Sequence, residues 1–123
     1  MIKSHKDLFV WQKAIELVVV VYDLTKTFPK TEAYGLVSQI RRAAVSIPSN
    51  IAEGRCRGTR KDFVQFLRIA YGSAAELDTQ IFLARRLSFV DQIDYNRVGD
   101  QLGEIMRMLN AMIAKLSKPQ ADS

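Results

Sequence analysis

Apolar residues recur at three- and four-residue spacing in four separate stretches, the signature of amphipathic helices. The first predicts a helix over about residues 8–27. Leu8, Trp11, Ile15, Val18 and Tyr22 form one stripe, and Val10, Ala14, Leu17, Val21 and Leu24 form a second beside it. Asp7 is placed to accept from the free amides of the first turn, and Phe28-Pro29 ends the helix, because a residue before proline disfavours helical geometry. With residues 18–21 all valine, the helix is apolar nearly all round and implies burial on two sides. In so small a domain the second side most simply meets another subunit, the alternative being a helix central in the bundle.

The second helix is expected over about 32–56, with Thr31 as its cap. Its core stripe is Leu36, Ile40, Ala43, Ile47 and Ile51. Arg42, Ser46, Ser49, Asn50 and Glu53 make a polar stripe on another face, and Gly54 and Gly58 end the helix with a left-handed cap at one of them. The third helix, about 60–87, is capped by Thr59. Phe63, Phe66, Leu67, Ala70, Ala74, Leu77, Ile81, Ala84 and Leu87 hold one face, and Gly72-Ser73-Ala74-Ala75 leaves its middle narrow enough for close approach of a neighbour. The fourth, about 92–117, is capped by Asp91 and carries Tyr95, Val98, Leu102, Ile105, Leu109, Met112 and Leu116 before Pro119 stops it.

No stretch reads as a strand, and short connections make sequence neighbours antiparallel. The predicted fold is all-α: a single up-down-up-down four-helix bundle spanning the 123 residues. Hydrophobic residues at 48% with 25% charged fit a globular chain with a real core. The lone Cys56 excludes an internal disulfide. The N-terminal stretch does not read as a signal peptide, and the longest apolar run falls far short of a membrane span. A cytoplasmic location is expected.

Charge changes the picture more. Residues 1–68 hold 12 Lys and Arg against 6 Asp and Glu, whereas residues 69–123 hold 6 against 7. A basic half suits an acidic partner such as RNA or DNA, or is a surface that favours solubility. Arg41, Arg42, Arg55, Arg57, Arg60 and Lys61 are the expected phosphate contacts. The last four cluster at the turn between helices two and three, where free helical amides add positive potential. The Arg41-Arg42 pair is expected to fold alongside them. No aromatic is interleaved with these arginines in sequence, so stacking on single-stranded bases is not indicated.

Enzyme signatures are missing. There is one histidine, His5, and no phosphate loop or HExxH pair. Cys56 lies between Arg55 and Arg57, which favours a reactive thiolate. Without an evident base it reads as an incidental thiol. No cofactor or metal is expected. Ser46, Ser49, Asn50 and Glu53 form either a ligand or partner face or a hydrogen-bonded network compensating for Pro48, which removes a donor and crowds the carbonyl of Ala44. The structural alternative is preferred for the three uncharged residues.

The run from Gln39 to Gly54, QIRRAAVSIPSNIAEG, resembles the bacterial four-helix bundle proteins named for open reading frames within intervening sequences of 23S rRNA genes. Leu8 to Ala14, Phe28-Pro29, Tyr34-Gly35-Leu36 and the segment from Phe63 to Leu77 extend the resemblance. It implies an up-and-down bundle assembling as a ring-shaped homopentamer, with no established catalytic activity. A related family, the accessory proteins of diversity-generating retroelements, shares the bundle and ring and binds nucleic acid and a reverse transcriptase. By that analogy RNA or DNA binding is expected. A scaffold for a protein partner, or an accessory factor of a nucleic-acid enzyme such as a reverse transcriptase, is the alternative.

Overall fold

A computed structural model describes residues 4–119. Four α-helices dominate it: α1 (Phe9–Thr25), α2 (Leu36–Cys56), α3 (Arg60–Arg86) and α4 (Gln92–Ser117). Two short 3₁₀ turns, His5–Asp7 and Lys30–Glu32, precede α1 and α2. No strand forms among the described residues. Each helix contacts its sequence neighbours, and α1 also packs on α4, which closes the bundle. Phe28 beside Phe89, with ring centroids 5.5 Å apart, joins the α1–α2 and α3–α4 connections at one end. Lys13 pairs with Glu104 at 3.4 Å across the α1–α4 seam. The helices therefore run up, down, up and down.

The core follows the apolar stripes. Leu36, Ile40, Ala43, Ile47 and Ile51 of α2 are buried. So are Leu67, Ala70, Ala74, Leu77, Ile81 and Ala84 of α3, with Val98, Leu102, Ile105, Leu109 and Ile113 of α4. The two stripes of α1 separate. Val10, Ala14, Leu17 and Val21 point into the core. Trp11 and Val18 lie half-buried at its edge, and Ile15 and Tyr22 face solvent with Val19, which is 64% exposed. Hence α1 is a peripheral helix with one apolar face inward and another outward.

Two helix starts differ from expectation, and the end of α2 shows which of its two glycines makes the left-handed cap. Leu8 is the N-cap of α1 and makes no side-chain cap bond. Asp7 closes the preceding 3₁₀ turn instead, in a capping box with Ser4. The second helix starts at Leu36, four residues later than its charge pattern suggests. Thr31 and Glu32 enter a 3₁₀ turn, and the Glu32 carboxylate reaches forward to accept from the Leu36 amide at 3.3 Å. Gly54 does not end α2. The helix continues to Cys56, and Gly58, with φ +90°, supplies the left-handed turn. The caps of α3 and α4 form as expected: Thr59 accepts from the Asp62 amide at 3.1 Å and Asp91 from the Asp94 amide at 2.8 Å. At the end of α3, Ser88 takes φ 65°. Its amide donates to the Arg85 carbonyl and that of Phe89 to Ala84, the paired bonds of a Schellman closure.

Gly54 is a point of close approach between α2 and α3. A Cβ placed on it would stand 2.6 Å from the Cβ of Phe66 and 3.2 Å from Cδ1 of Phe63. Gly72 has open space around the same position. Gly54→Ala should therefore lower the unfolding free energy by about 1–3 kcal/mol through overpacking. Gly72→Ala, in an exposed helix interior, should raise it by about 0.5–1 kcal/mol. Denaturant melts of both variants, read against the parent, check the pair.

Candidate nucleic-acid interface

The continuity of α2 decides where its cations go. At about 1.5 Å rise per residue, Arg41 and Arg55 stand about 21 Å apart along one rigid helix. The Arg41-Arg42 pair therefore does not fold beside the α2–α3 turn, as its nearness in sequence suggested. The six expected cations form two groups at opposite ends of the bundle.

At the α2–α3 end, Arg55 is half-buried, and Arg57, Arg60 and Lys61 are exposed. Arg57 pairs with Glu53 at 2.7 Å and lies over the Phe66 ring, 5.0 Å from its centroid. Arg60 Nη1 donates to the Lys118 carbonyl at 3.4 Å, and Arg68 Nη2 donates to Ser117 Oγ at 3.5 Å. These contacts tie the first turns of α3 to the end of α4. Between them lies an open groove of about 490 Å³, lined by Arg60, Lys61, Val64, Leu116, Ser117, Lys118 and Pro119. Lys118 belongs to this cationic end although its sequence position suggests only a helix-dipole role. Antiparallel topology is the signal that finds it, since it returns the end of α4 to the start of α3. His5 also lies here, held edge-on to Trp11 at 5.2 Å, with Nδ1 4.0 Å from Cys56 Sγ.

At the opposite end Arg41 is engaged in holding the bundle. Its Nε donates to Thr25 Oγ1 at 2.9 Å and its Nη2 to the Tyr22 carbonyl at 3.3 Å. Thr25 in turn donates to the Val21 carbonyl at 2.8 Å. The guanidinium thus serves the last turn of α1, where the helix dipole is negative. It also stacks on Tyr22, 4.4 Å from the ring centroid. Arg42, one position on, is exposed. Both line a groove of about 480 Å³ with Tyr22 and Tyr34. So aromatics do accompany these arginines, although none is interleaved with them in sequence: the fold brings Tyr22 from α1 and Tyr34 from the connection.

The polar stripe of α2 divides. Asn50 Nδ2 donates to the Ser46 carbonyl at 2.8 Å and to Ser46 Oγ at 2.9 Å, and Ser46 Oγ shares a 2.8 Å hydrogen bond with Ser73 Oγ of α3. Ser73, read in sequence only as part of a narrow segment, completes this bridge. Ser49 is exposed and lies outside it, and Glu53 turns to Arg57. The Asn50 amide serves the carbonyl of Ser46, not that of Ala44. Pro48 itself is buried within the uninterrupted helix.

Among the described residues, no group of three or more His, Cys, Asp and Glu side chains is placed to hold a metal ion. Among the same residues, no helix is long and apolar enough to cross a membrane. The chain matches the family described as 23S rRNA-intervening sequence protein over residues 6–111. It belongs to that family. Among solved structures, the chain is similar to a protein of unknown function from the S23 ribosomal protein family of Bacteroides thetaiotaomicron. The two share 28% sequence identity and a TM-score of 0.79, over 85% of this chain and 97% of the other. No curated protein matches the sequence. The QIRRAAVSIPSNIAEG run that carries the resemblance to the intervening-sequence family supplies the α2 core, the Ser46–Asn50 bridge and the Gly54 contact.

Removing the Asn50 amide takes away two hydrogen bonds on the half-buried face of α2. Asn50→Ala should lower the unfolding free energy by about 1–2 kcal/mol. Ser49→Ala should stay within about 0.5 kcal/mol of the parent. Equal losses in thermal melts would contradict the division of the stripe.

Proposed function

We propose that this protein is a non-enzymatic, homo-oligomeric module that binds RNA or DNA through its basic surface. The observation carrying this reading is the α2–α3 end. There Arg60 and Lys61 meet Lys118 from the far end of the chain, beside the first turn of α3, with Arg57 exposed on the preceding turn. Glu53 and Asp62 are the acidic residues beside them in sequence. Guanidinium and ammonium groups over a helix N-terminus suit phosphate oxygens, and contacts to phosphate alone confer little sequence preference. Counterion release makes such binding steeply salt-dependent. In gel shifts with a structured RNA, affinity should fall as salt rises. Arg60→Ala and Lys61→Ala should each flatten the log–log salt slope by about one. No shift at low salt with the oligomer intact would sink the reading.

The outward face of α1 supports self-association. Phe9 and Val19 are 60% and 64% exposed, with Ile15 on the same helix. Apolar exposure of this kind, rimmed by polar residues, marks a contact surface. The family resemblance sets the expected assembly at five copies, in which each basic end would recur around the ring. Light scattering should return five times the chain mass, and Val19→Asp should reduce it. A parent protein that measures as a monomer would remove the oligomeric part of the proposal.

A scaffold for a protein partner is the second reading. Phe82, Leu83 and Leu87 at the end of α3 and Ile93 at the start of α4 are exposed, at the end remote from the α2–α3 turn. Co-purification of a protein that survives nuclease treatment would favour it.

A further inference from the structure

The groove beside Arg41 and Arg42 has a chemistry that the phosphate-binding end lacks. Tyr34 is fully exposed, an unusual setting for a large aromatic ring. It sits on the tight connection between Phe28, buried at the bundle end, and Gly35, the N-cap of α2. Its place on the surface is therefore set by short, anchored chain. Across the groove, Tyr22 and the Arg41 guanidinium are already stacked 4.4 Å apart, with Arg41 fixed by two hydrogen bonds. Val37 and Val45 line the same open groove of about 480 Å³.

Charge favours an anion there. Arg42 is exposed and pairs with no carboxylate among the described residues. The nearby acids are otherwise engaged: Asp23 with Lys26 at 4.0 Å, and Glu32 with the Leu36 amide at 3.3 Å. A flat ring, a preformed arginine–tyrosine stack and an unpaired arginine together match an unpaired nucleotide, whose base offers a π-face and whose phosphate offers charge. A base inside a duplex has both faces covered by its neighbours, so only a single strand can use such a platform.

The geometry points to a single-strand binding site in the Tyr22–Tyr34–Arg41–Arg42 groove, with a base stacked on Tyr34 and its phosphate held by Arg42. This rests on the nucleic-acid reading above and adds to it the state of the strand. It is distinct from the α2–α3 end, which suits backbone phosphate of any strand.

The test uses oligo(U) and oligo(dT) carrying one 2-aminopurine, with a duplex of equal length for comparison. The parent should bind the single strands and quench the 2-aminopurine, since stacking quenches that base. Tyr34→Ala should weaken single-strand binding by roughly ten- to a hundredfold. It should also abolish the quench and leave duplex affinity and oligomer mass unchanged. Tyr34→Phe, which keeps the ring, should bind like the parent. Wild-type single-strand affinity and quenching in Tyr34→Ala would overturn the site, as would a parent that binds duplex but not single strands. A mass change in Tyr34→Ala would assign the ring to a subunit contact and overturn the site too. Failure of the parent to bind any of the three nucleic acids would instead overturn the broader reading, and this one with it.

Discussion

The close approach of α2 to α3 is the constraint on which the other features depend. It needs residues without bulk where the helices meet: Gly54 against Phe66 and Phe63, with Ala43 and Ala44 buried on α2 and Ala70 and Ala74 buried on α3. Small residues give up side-chain burial, but they allow backbones to approach, and dispersion falls off within an ångström of added distance. The Ser46–Ser73 hydrogen bond spans the same pair of helices, and a half-buried polar bond of this kind is directional where apolar contact is not. Shape and hydrogen bonding therefore both fix the register of α2 on α3. That register places the α2–α3 turn, and with it Arg57, Arg60 and Lys61.

The helices were legible in the sequence because their apolar period extends over about four or more turns. Their ends were less so, for identifiable reasons. Glu32 falls at the expected first position of α2. It is an acceptor that caps from outside, in a turn where Pro29 fixes the backbone and the chain must first bring Phe28 inward. Gly54 looked like a terminator because glycine is costly inside a helix. Only the position of Phe66 on the facing helix explains why that cost is tolerated. Polarity alone could not divide Ser46 and Asn50 from Ser49 and Glu53, since all four lie within two turns. Their partners, Ser73 and Arg57, decide it.

The candidate sites illustrate the same limit. A run of arginines is visible in sequence, and so is its excess over nearby acids. Which arginines are available for a ligand is not, because that depends on what the fold asks of each. Arg41 is held by the end of α1, and Arg57 is paired with Glu53. Arg42 and Lys61 remain exposed, and Lys118 joins them from the far end of the chain. Tyr22 and Tyr34 come from two different elements, so no local pattern links either one to Arg42.

The separation of the two cationic ends also limits how a ligand can use both. Their spacing of about 21 Å is fixed by an uninterrupted helix. A stacked strand rises about 3.4 Å per nucleotide, so this distance corresponds to about six nucleotides. A ligand shorter than this would reach one end alone, and the ends differ in kind: one carries cations at the start of α3, the other an exposed aromatic ring and an arginine. A folded RNA with a loop beside a stem offers both surfaces together, since the stem displays backbone and the loop displays bases. Neither feature alone matches both ends of this bundle.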